Sequence, residues 1–234
     1  AEEWGEIMDV AHVGALNNKM ADNTIRDMIR LNEALHEKKI AYIADEITKD
    51  KNIKIVLIAG PSSSGKTTFA QRLSIQLRVN GKKTYEISLD DYFVDRHLTP
   101  KDEKGDLDFE SIKALDLELF NEHLIDLMAG EEVQIPVYNF KKGCREFTRE
   151  PVRLTDEHII IIEGIHGLND EITKSIPQAN KYKIYISALT QLNIDRHNRI
   201  STSDLRLLRR LVRDYTHRGN DAAKTMELWD NVIK

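Results

Sequence analysis

The chain has 234 residues, of which 41% are hydrophobic and 31% are charged, and its formal net charge at pH 7 is −5. This composition excludes a disordered chain, and the acidic balance excludes a global field that attracts nucleic acid or an anionic membrane. The single cysteine, Cys144, excludes an internal disulfide and suits a reducing compartment, so the cytoplasm is the expected location.

The first fifty residues predict helices. The chain begins without Met and without the cationic start and apolar stretch of a signal peptide, so we expect a fragment or a processed chain. Apolar residues then recur at helical spacing up to the charged pair Asp50-Lys51, where the pattern breaks. We therefore predict a helical lead-in or connector over residues 1–50 and a second domain over residues 51–234.

From residue 54 onward, short apolar strands alternate with amphipathic helices. This alternation predicts an α/β fold in which helices cover both faces of a parallel sheet. Two strand-like segments at 133–138 and 147–154, separated by turn residues at 141–143, predict a small β-hairpin flap. The predicted strands of the main sheet are 53–59, 84–89, 158–163 and 182–187, and the predicted helices begin after Gly65 and cover 115–128 and 203–215.

A glycine- and serine-rich segment lies between the first predicted strand and the helix that follows it. The segment Gly60-Pro61-Ser62-Ser63-Ser64-Gly65-Lys66-Thr67 fits the phosphate-binding pattern G-x-x-x-x-G-K-[ST]. In this pattern backbone N–H groups surround the phosphates of a nucleotide, the lysine neutralises the β- and γ-phosphates, and the threonine hydroxyl ligates Mg²⁺. The alternative is a turn that binds no ligand, but the flanking strand and helix favour a P-loop NTPase-type nucleotide site.

Two predicted strands end in carboxylates at the same edge of the sheet as this motif. Asp90 follows the strand 84–89 and is placed to act as a general base for an attacking hydroxyl, or as a neighbour of Mg²⁺ through water. Glu163 follows four isoleucines, where a carboxylate organises Mg²⁺ opposite Thr67. The alternatives are that Asp90 caps a turn and that Glu163 is incidental to a buried strand.

Four arginines share one face of the predicted helix 203–215, and leucines occupy the other face. A stripe of like charges favours a bound anion, such as a triphosphate or a transferring phosphoryl group, and predicts an arginine-rich lid. The alternatives are a solvated surface and a nucleic-acid stripe, and the acidic chain disfavours the second. The four are Arg206, Arg209, Arg210 and Arg213, and Arg218 continues the cluster.

Taken in order, five segments resemble the uridine kinase and phosphoribulokinase group of P-loop kinases, from about residue 53 to the C-terminus. They are GPSSSGKTT at 60–68, SLDDYF at 88–93, IPVYNF at 135–140, EGI at 163–165 and RRLVRD at 209–214. The resemblance implies that Asp90 activates a nucleoside 5′-hydroxyl and that Lys66, Thr67 and Glu163 handle ATP and Mg²⁺. The remaining residues of the implied ATP cradle are Gly60, Ser62, Ser63, Ser64, Gly65 and Thr68.

The same resemblance implies roles for residues around the acceptor. Arg210 and Arg213 would be catalytic lid residues that meet the substrate sugar and phosphates, and Arg218 would contact ATP. Asp108 would hold the ribose hydroxyls. Pyrimidine-specific members carry a histidine where this chain has Gly143 and a glutamine near Leu228, so the resemblance implies relaxed or altered base specificity. The residues implied to line the base are Tyr138 and Phe140.

The lead-in and the segment 189–195 resemble a longer bacterial branch of this group, in which the kinase follows a region similar to part of threonyl-tRNA synthetase. Residues 1–50 would then be the tail of that region or its connector. Members of the group continue beyond the helix in which this chain stops, so we expect truncation at the C-terminus.

We therefore expect an ATP-dependent kinase that phosphorylates the 5′-hydroxyl of a nucleoside such as uridine or cytidine. One alternative is a kinase of the same group that acts on another alcohol, such as a sugar phosphate or pantothenate. Another is a nucleotide-binding regulatory module associated with RNA. The expected partner is a small nucleoside-like molecule rather than a membrane or nucleic acid, and a homo-oligomer remains open.

Overall fold

A four-stranded parallel sheet forms the centre of the computed structural model, and its strands lie in the order β2 (Lys83–Ser88), β7 (His158–Glu163), β1 (Ile55–Ala59) and β8 (Lys181–Tyr185). The structure describes residues 2–190 and 192–233; Ala1, Gln191 and Lys234, which fall in segments discussed above, lie outside the described residues. In chain order the strands are β1 (Ile55–Ala59), β2 (Lys83–Ser88), β3 (Glu132–Val133), β4 (Val137–Asn139), β5 (Cys144–Glu146), β6 (Val152–Arg153), β7 (His158–Glu163) and β8 (Lys181–Tyr185).

Seven α-helices are found among the described residues, and local signals fix several of their ends. Asp116 begins α5 by accepting a hydrogen bond from the Leu119 N–H at 3.1 Å, and Ser201 begins α6 in the same way. A π-helical turn, Asp214–Arg218, extends α6. The helices are α1 (Glu2–Ile7), α2 (Val13–Ala21), α3 (Ile25–Lys49), α4 (Lys66–Val79), α5 (Leu117–Ala129), α6 (Thr202–Arg213) and α7 (Ala222–Val232).

The central strands are buried on both faces, which is why their sequences are continuous apolar runs rather than alternating ones. In β1 all five residues are buried, and in β7 the four isoleucines are buried. Odd and even positions supply two separate cores, one under α5 and one under α3 and α4. The predicted α/β fold, with a parallel sheet and helices on both faces, is therefore confirmed.

The predicted strands of the main sheet are all present, with ends shifted by at most two residues. The segment predicted as 158–163 is found unchanged, and the others are β1, β2 and β8. Parallel register brings Glu163 beside both Ser88 and Ile58, so the carboxyl ends of these strands meet at one edge. Within the described ranges, no helix has the length and apolar character needed to cross a bilayer.

The flap differs in detail from the prediction. The turn at 141–143 is present, but the strand after it is β5, which begins directly at Cys144 rather than at residue 147 and pairs antiparallel with β4. The later segment contributes β6, which pairs with β3 as a separate two-stranded sheet. The turn is tight because the Gly143 N–H donates to the Asn139 carbonyl at 2.7 Å and Gly143 has a φ of +73°. The return strand therefore starts immediately after the glycine.

Candidate active site

The phosphate-binding segment forms a curled loop between β1 and α4. Ser63 and Gly65 both have positive φ values, 61° and 103°, which turns successive backbone N–H groups toward one side. Gly60 packs against the backbone of Ile186, and a Cβ at Gly60 would stand 2.6 Å from the Ile186 carbonyl oxygen. The hydroxyls of Ser63 and Ser64 are buried without a hydrogen-bond partner among the described residues. The loop thus has the shape and the spare polar groups of an anion site.

Lys66 begins α4 and is largely buried at the base of this loop. Its ammonium donates to the Pro61 carbonyl at 3.3 Å. Burial lowers the pKa of Lys66, and the nearby carboxylates of Glu163, Asp90 and Glu110 oppose that shift by favouring the charged form. A buried ammonium with one carbonyl contact has further N–H donors that are suited to the oxygens of a phosphate ligand.

Glu163 lies at the end of β7, opposite the first turn of α4. Its Oε1 atom accepts hydrogen bonds from the hydroxyl of Thr67 at 2.9 Å and from the hydroxyl of Ser88 at 3.1 Å. Burial and the charge of Asp90 raise the pKa of Glu163, while Lys66 lowers it. Hydroxyl and carboxylate oxygens at this spacing form a donor set of the kind that Mg²⁺ prefers.

Asp90 and Asp91 follow β2 in a 3₁₀ turn, but their side chains contact different groups. Asp90 lines the cleft beside the loop, where its Oδ2 atom lies 3.3 Å from Nη2 of Arg218. Asp91 instead accepts from the Tyr138 N–H at 3.2 Å and from Arg149 at 3.0 Å, so it fastens the flap to the sheet. Only Asp90 of this pair faces the site.

The arginines of α6 close the site from the opposite side. Nε of Arg206 donates to the carbonyl of Ser62 at 3.0 Å, and Nη1 of Arg210 donates to the Ser62 hydroxyl at 3.0 Å. Arg209 also faces the cleft, with Nη2 3.5 Å from where a Cβ on Gly65 would lie. The predicted arginine face is therefore the face that packs on the phosphate-binding loop.

A fully buried carboxylate contacts three arginines of the cluster. Asp214 lies in the π-helical turn, and its two oxygens contact Arg210 at 3.3 Å, Arg213 at 2.9 Å and Arg218 at 3.9 Å. Arg218 then crosses the cleft, with its guanidinium carbon 4.3 Å from the ring centre of Phe140. Sequence reasoning did not identify Asp214 as a site residue. Its spacing of four residues from both Arg210 and Arg218 is the signal that could have found it, since residues four apart are neighbours on a helix.

One cleft of about 760 Å³ brings most of the predicted site residues together. Those that line it are Ser62, Ser63, Gly65, Lys66, Thr67, Thr68, Asp90, Tyr138, Phe140, Glu163, Arg210, Arg213 and Arg218. Gly60 and Ser64 shape the loop without being among the lining residues, and Asp108 is not among them either. Gly143 lies at the flap turn, and Leu228 of α7 lines the cleft.

Glu110, two residues after Asp108, is the carboxylate that reaches the cleft from this segment. The Oδ1 atom of Asp108 caps its own turn by accepting from the backbone N–H groups of Glu110 at 3.1 Å and Ser111 at 3.2 Å. Burial raises the pKa of Glu110, and the Arg210 guanidinium, 4.0 Å away, opposes the shift. Glu110 was missed because acidic residues stand at every second position over 106–110 and the sequence does not show which one turns inward.

The sequence model of the phosphoribulokinase / uridine kinase family matches residues 55–234. The chain belongs to this family. It is therefore a P-loop kinase, and kinases of this type use ATP as the phosphoryl donor.

A uridine kinase of Halobacterium salinarum is 29% identical over 76% of this chain and 69% of its own length. A uridine kinase of Staphylococcus haemolyticus is 30% identical over 78% of this chain and 79% of its own length. The uridine kinase of Schizosaccharomyces pombe is 32% identical over 79% of this chain, which spans only 37% of that longer protein. Among solved structures, a possible uridine kinase from Bacillus stearothermophilus has a TM-score of 0.52 and 26% identity, covering 63% of this chain and 79% of the other.

Proposed function

We propose that this protein is an ATP-dependent nucleoside kinase that transfers the γ-phosphoryl group to a 5′-hydroxyl. The observation that carries the proposal is the meeting of the phosphate-binding loop, Asp90 and Glu163 with the arginines of α6 around one cleft. Phosphoryl transfer depends on positioning and on charge neutralisation, and these groups supply both. Similarity to several uridine kinases supports a nucleoside acceptor.

In this proposal the residues of the loop and of α6 bind and orient the donor. Backbone N–H groups at 60–68 and the side chains of Ser62, Ser63, Lys66 and Thr68 hold the phosphates. Arg210 and Arg213 neutralise charge on the transferring group, and Arg218 contacts the nucleotide. By packing on the loop, α6 excludes water from the transfer site, so that the acceptor hydroxyl replaces water as the nucleophile.

Mg²⁺ fits the oxygen atoms at the end of β7. Thr67 and Glu163 would hold the ion, and the hydroxyl of Ser88 on the same carboxylate oxygen keeps Glu163 oriented. The ion would supply charge neutralisation between the phosphates. Glu163 also has a raised pKa from burial, and a bound cation would favour its ionised form.

On the acceptor side, Asp90 accepts the proton of the attacking hydroxyl. Glu110 holds the sugar hydroxyls, a role that its position in the cleft supports better than that of Asp108. The rings of Tyr138 and Phe140 line the part of the cleft that receives the base. A second candidate, another small alcohol as acceptor, is favoured by Gly143 because no side chain projects from the flap turn there.

A coupled assay of ADP release tests the function. Mg-ATP is supplied with uridine, cytidine, purine nucleosides, sugar phosphates and pantothenate, and Asp90→Ala protein serves as the control. We expect turnover that depends on a nucleoside and is absent with the variant. ATP binding without turnover on any of these acceptors would contradict the nucleoside kinase and would favour a regulatory nucleotide-binding module.

Replacing Lys66 by alanine is expected to weaken ATP binding by about 10- to 100-fold, because a hydrogen bond to a charged group contributes roughly 1.5–3 kcal/mol. Calorimetric titration with ATP measures the change. Lys83→Ala is the matched control. Lys83 is an exposed lysine at the start of β2, away from the loop, and it forms an ion pair with Glu157. Equal ATP affinity in the Lys66 and Lys83 variants would contradict the placement of the phosphates.

We also propose that residues 1–50 form a lead-in to a kinase domain at 51–234 and derive from a region similar to part of threonyl-tRNA synthetase. The lead-in contacts the segment 189–195 through the Val13 N–H, which donates to the Asn193 carbonyl at 2.9 Å.

A cytoplasmic location is proposed because the reaction consumes ATP and the lone Cys144 suits a reducing compartment. Gel filtration with light scattering tests whether the chain forms a homo-oligomer.

A further inference from the structure

The part of the cleft beside the flap turn is walled by aromatic rings. Phe93, Tyr138 and Phe140 meet edge to face, with ring centres 5.1 Å to 6.4 Å apart, and Phe109 packs on Phe93 in the same way. Tyr138 is only 3% exposed, and its buried hydroxyl lies beside the Arg96 guanidinium. A buried hydroxyl beside aromatic walls indicates a place for a planar ring with a polar edge.

Arg96 brings a positive charge to the same part of the cleft. It lies in a short 3₁₀ turn (Arg96–Leu98) and lines the same cleft as Tyr138. Its backbone N–H donates to the Gly143 carbonyl at 2.8 Å, and its Nη2 donates to the Phe140 carbonyl at 2.5 Å. These two bonds anchor Arg96 to the flap turn. Its guanidinium has five N–H groups and no acceptor, so it can only donate.

Gly143 leaves the space in which the Arg96 side chain lies. A Cβ on Gly143 would stand 2.7 Å, 2.8 Å and 2.9 Å from Nε, Cζ and Cβ of Arg96. Any side chain at this position therefore displaces the arginine from the flap turn. The two residues are 47 positions apart in the chain, but they act as one unit. The Arg96 side chain occupies the space that a side chain at Gly143 would need.

We propose that Arg96, together with the hydroxyl of Tyr138, determines acceptor specificity by binding a carbonyl oxygen on the edge of the acceptor's ring. This inference rests on the proposed nucleoside kinase function. A ring that presents a carbonyl oxygen accepts from the guanidinium. A ring that presents an amino group there directs its N–H donors at the N–H donors of the guanidinium, so the contact with Arg96 is lost and kcat/KM falls. The preferred acceptor is thus a nucleoside of the uracil type over one of the cytosine type.

Steady-state kinetics with uridine and cytidine at saturating Mg-ATP test this inference. We expect the wild-type protein to prefer uridine by at least about tenfold in kcat/KM. Arg96→Ala should lower kcat/KM for uridine by at least about tenfold, mainly through KM, and should bring the ratio of the two acceptors close to one. The KM for ATP should change by less than about threefold, because Arg96 lies at the acceptor end. His97→Ala, in the same turn, is the matched control.

Arg96→Gln separates specificity from a general loss of structure. A glutamine amide carries both a donor and an acceptor, so this variant should gain activity with cytidine relative to uridine. A double-mutant cycle with Gly143→Ala tests the coupling, since the backbone strain at Gly143 is common to both backgrounds. We expect Gly143→Ala to lower kcat/KM for uridine much more in the wild-type background than in the Arg96→Ala background.

The outcomes distinguish this inference from the function on which it rests. If the wild-type protein phosphorylates no nucleoside, both are overturned. If it phosphorylates nucleosides and the ratio of uridine to cytidine is the same in the wild-type, Arg96→Ala and Arg96→Gln proteins, only the role of Arg96 is overturned. Additive effects of Gly143→Ala and Arg96→Ala would likewise overturn the coupling between the two residues.

Discussion

Replacing Asp90 by alanine or asparagine is expected to lower turnover by about 10²- to 10⁴-fold with every acceptor, which is the usual contribution of a positioned general base. Asp90 is the carboxylate of its pair that lines the cleft, and it stands at the carboxyl end of β2 beside the loop that holds Lys66. ATP affinity should stay within about threefold, because the loop and Lys66 remain in place. Coupled ADP release and calorimetric titration with ATP measure the two quantities.

Asp91→Asn is the matched control for this experiment. Its amide oxygen can still accept from the Tyr138 N–H, so the flap should stay attached and turnover should fall only slightly. Full activity in the Asp90 variants would contradict the assignment of the base. A large drop in ATP affinity would also contradict it, since Asp90 would then act in donor binding.

Asp214→Ala is expected to destabilise the protein by roughly 3–5 kcal/mol, because it removes the buried partner of several arginines and leaves their charges uncompensated. Asp214 is 0% exposed and Arg210 is 8% exposed, so water cannot replace the lost contacts at Arg210. Urea unfolding followed by circular dichroism measures the free energy of unfolding. Turnover should fall as well, since Arg210 and Arg213 lose the group that orients them.

Asp204→Ala provides the comparison for Asp214→Ala. Asp204 is an exposed acidic residue in the first turn of the same helix, where its interaction with the helix dipole contributes about 0.3–1 kcal/mol. A loss of stability in the Asp214 variant no larger than that of the Asp204 variant would contradict the role of Asp214 in holding the arginines together.

Much of the fold and of the donor site follows from local sequence patterns. The isoleucine run at 159–162 predicts β7 because a strand buried on both faces has no polar alternation, and the helical spacing of Arg206 and Arg210 places them on one face of α6. The phosphate-binding loop is predicted because its chemistry needs glycines and a lysine at fixed offsets within nine residues. In each case the partners that define the feature are close in sequence or repeat with a regular period.

The proposed acceptor site is less predictable because distant contacts decide which side chains turn inward. Glu110 rather than Asp108 lines the cleft, in a loop where the Asp108 N–H donates to the Pro100 carbonyl and His166 contacts the Glu110 carbonyl at 2.9 Å. Similarly, the proximity of Arg96 to the flap turn depends on a contact between separate loops. Periodicity carries no information about such contacts, which form only when the chain has folded.

The packing of α3 also matters for anyone who divides the chain into pieces. The family match begins at residue 55, yet Ile40, Ala44 and Ile47 are buried in the same core as β1 and α4. Full burial of an isoleucine contributes roughly 1.5–3 kcal/mol to stability. A fragment that starts at residue 55 would therefore expose the aggregation-prone apolar surface of α4 on which α3 packs. The second half of α3, which lies within the proposed lead-in, thus shares its core with the parallel sheet, and an expression clone that keeps this core begins upstream of Ile40.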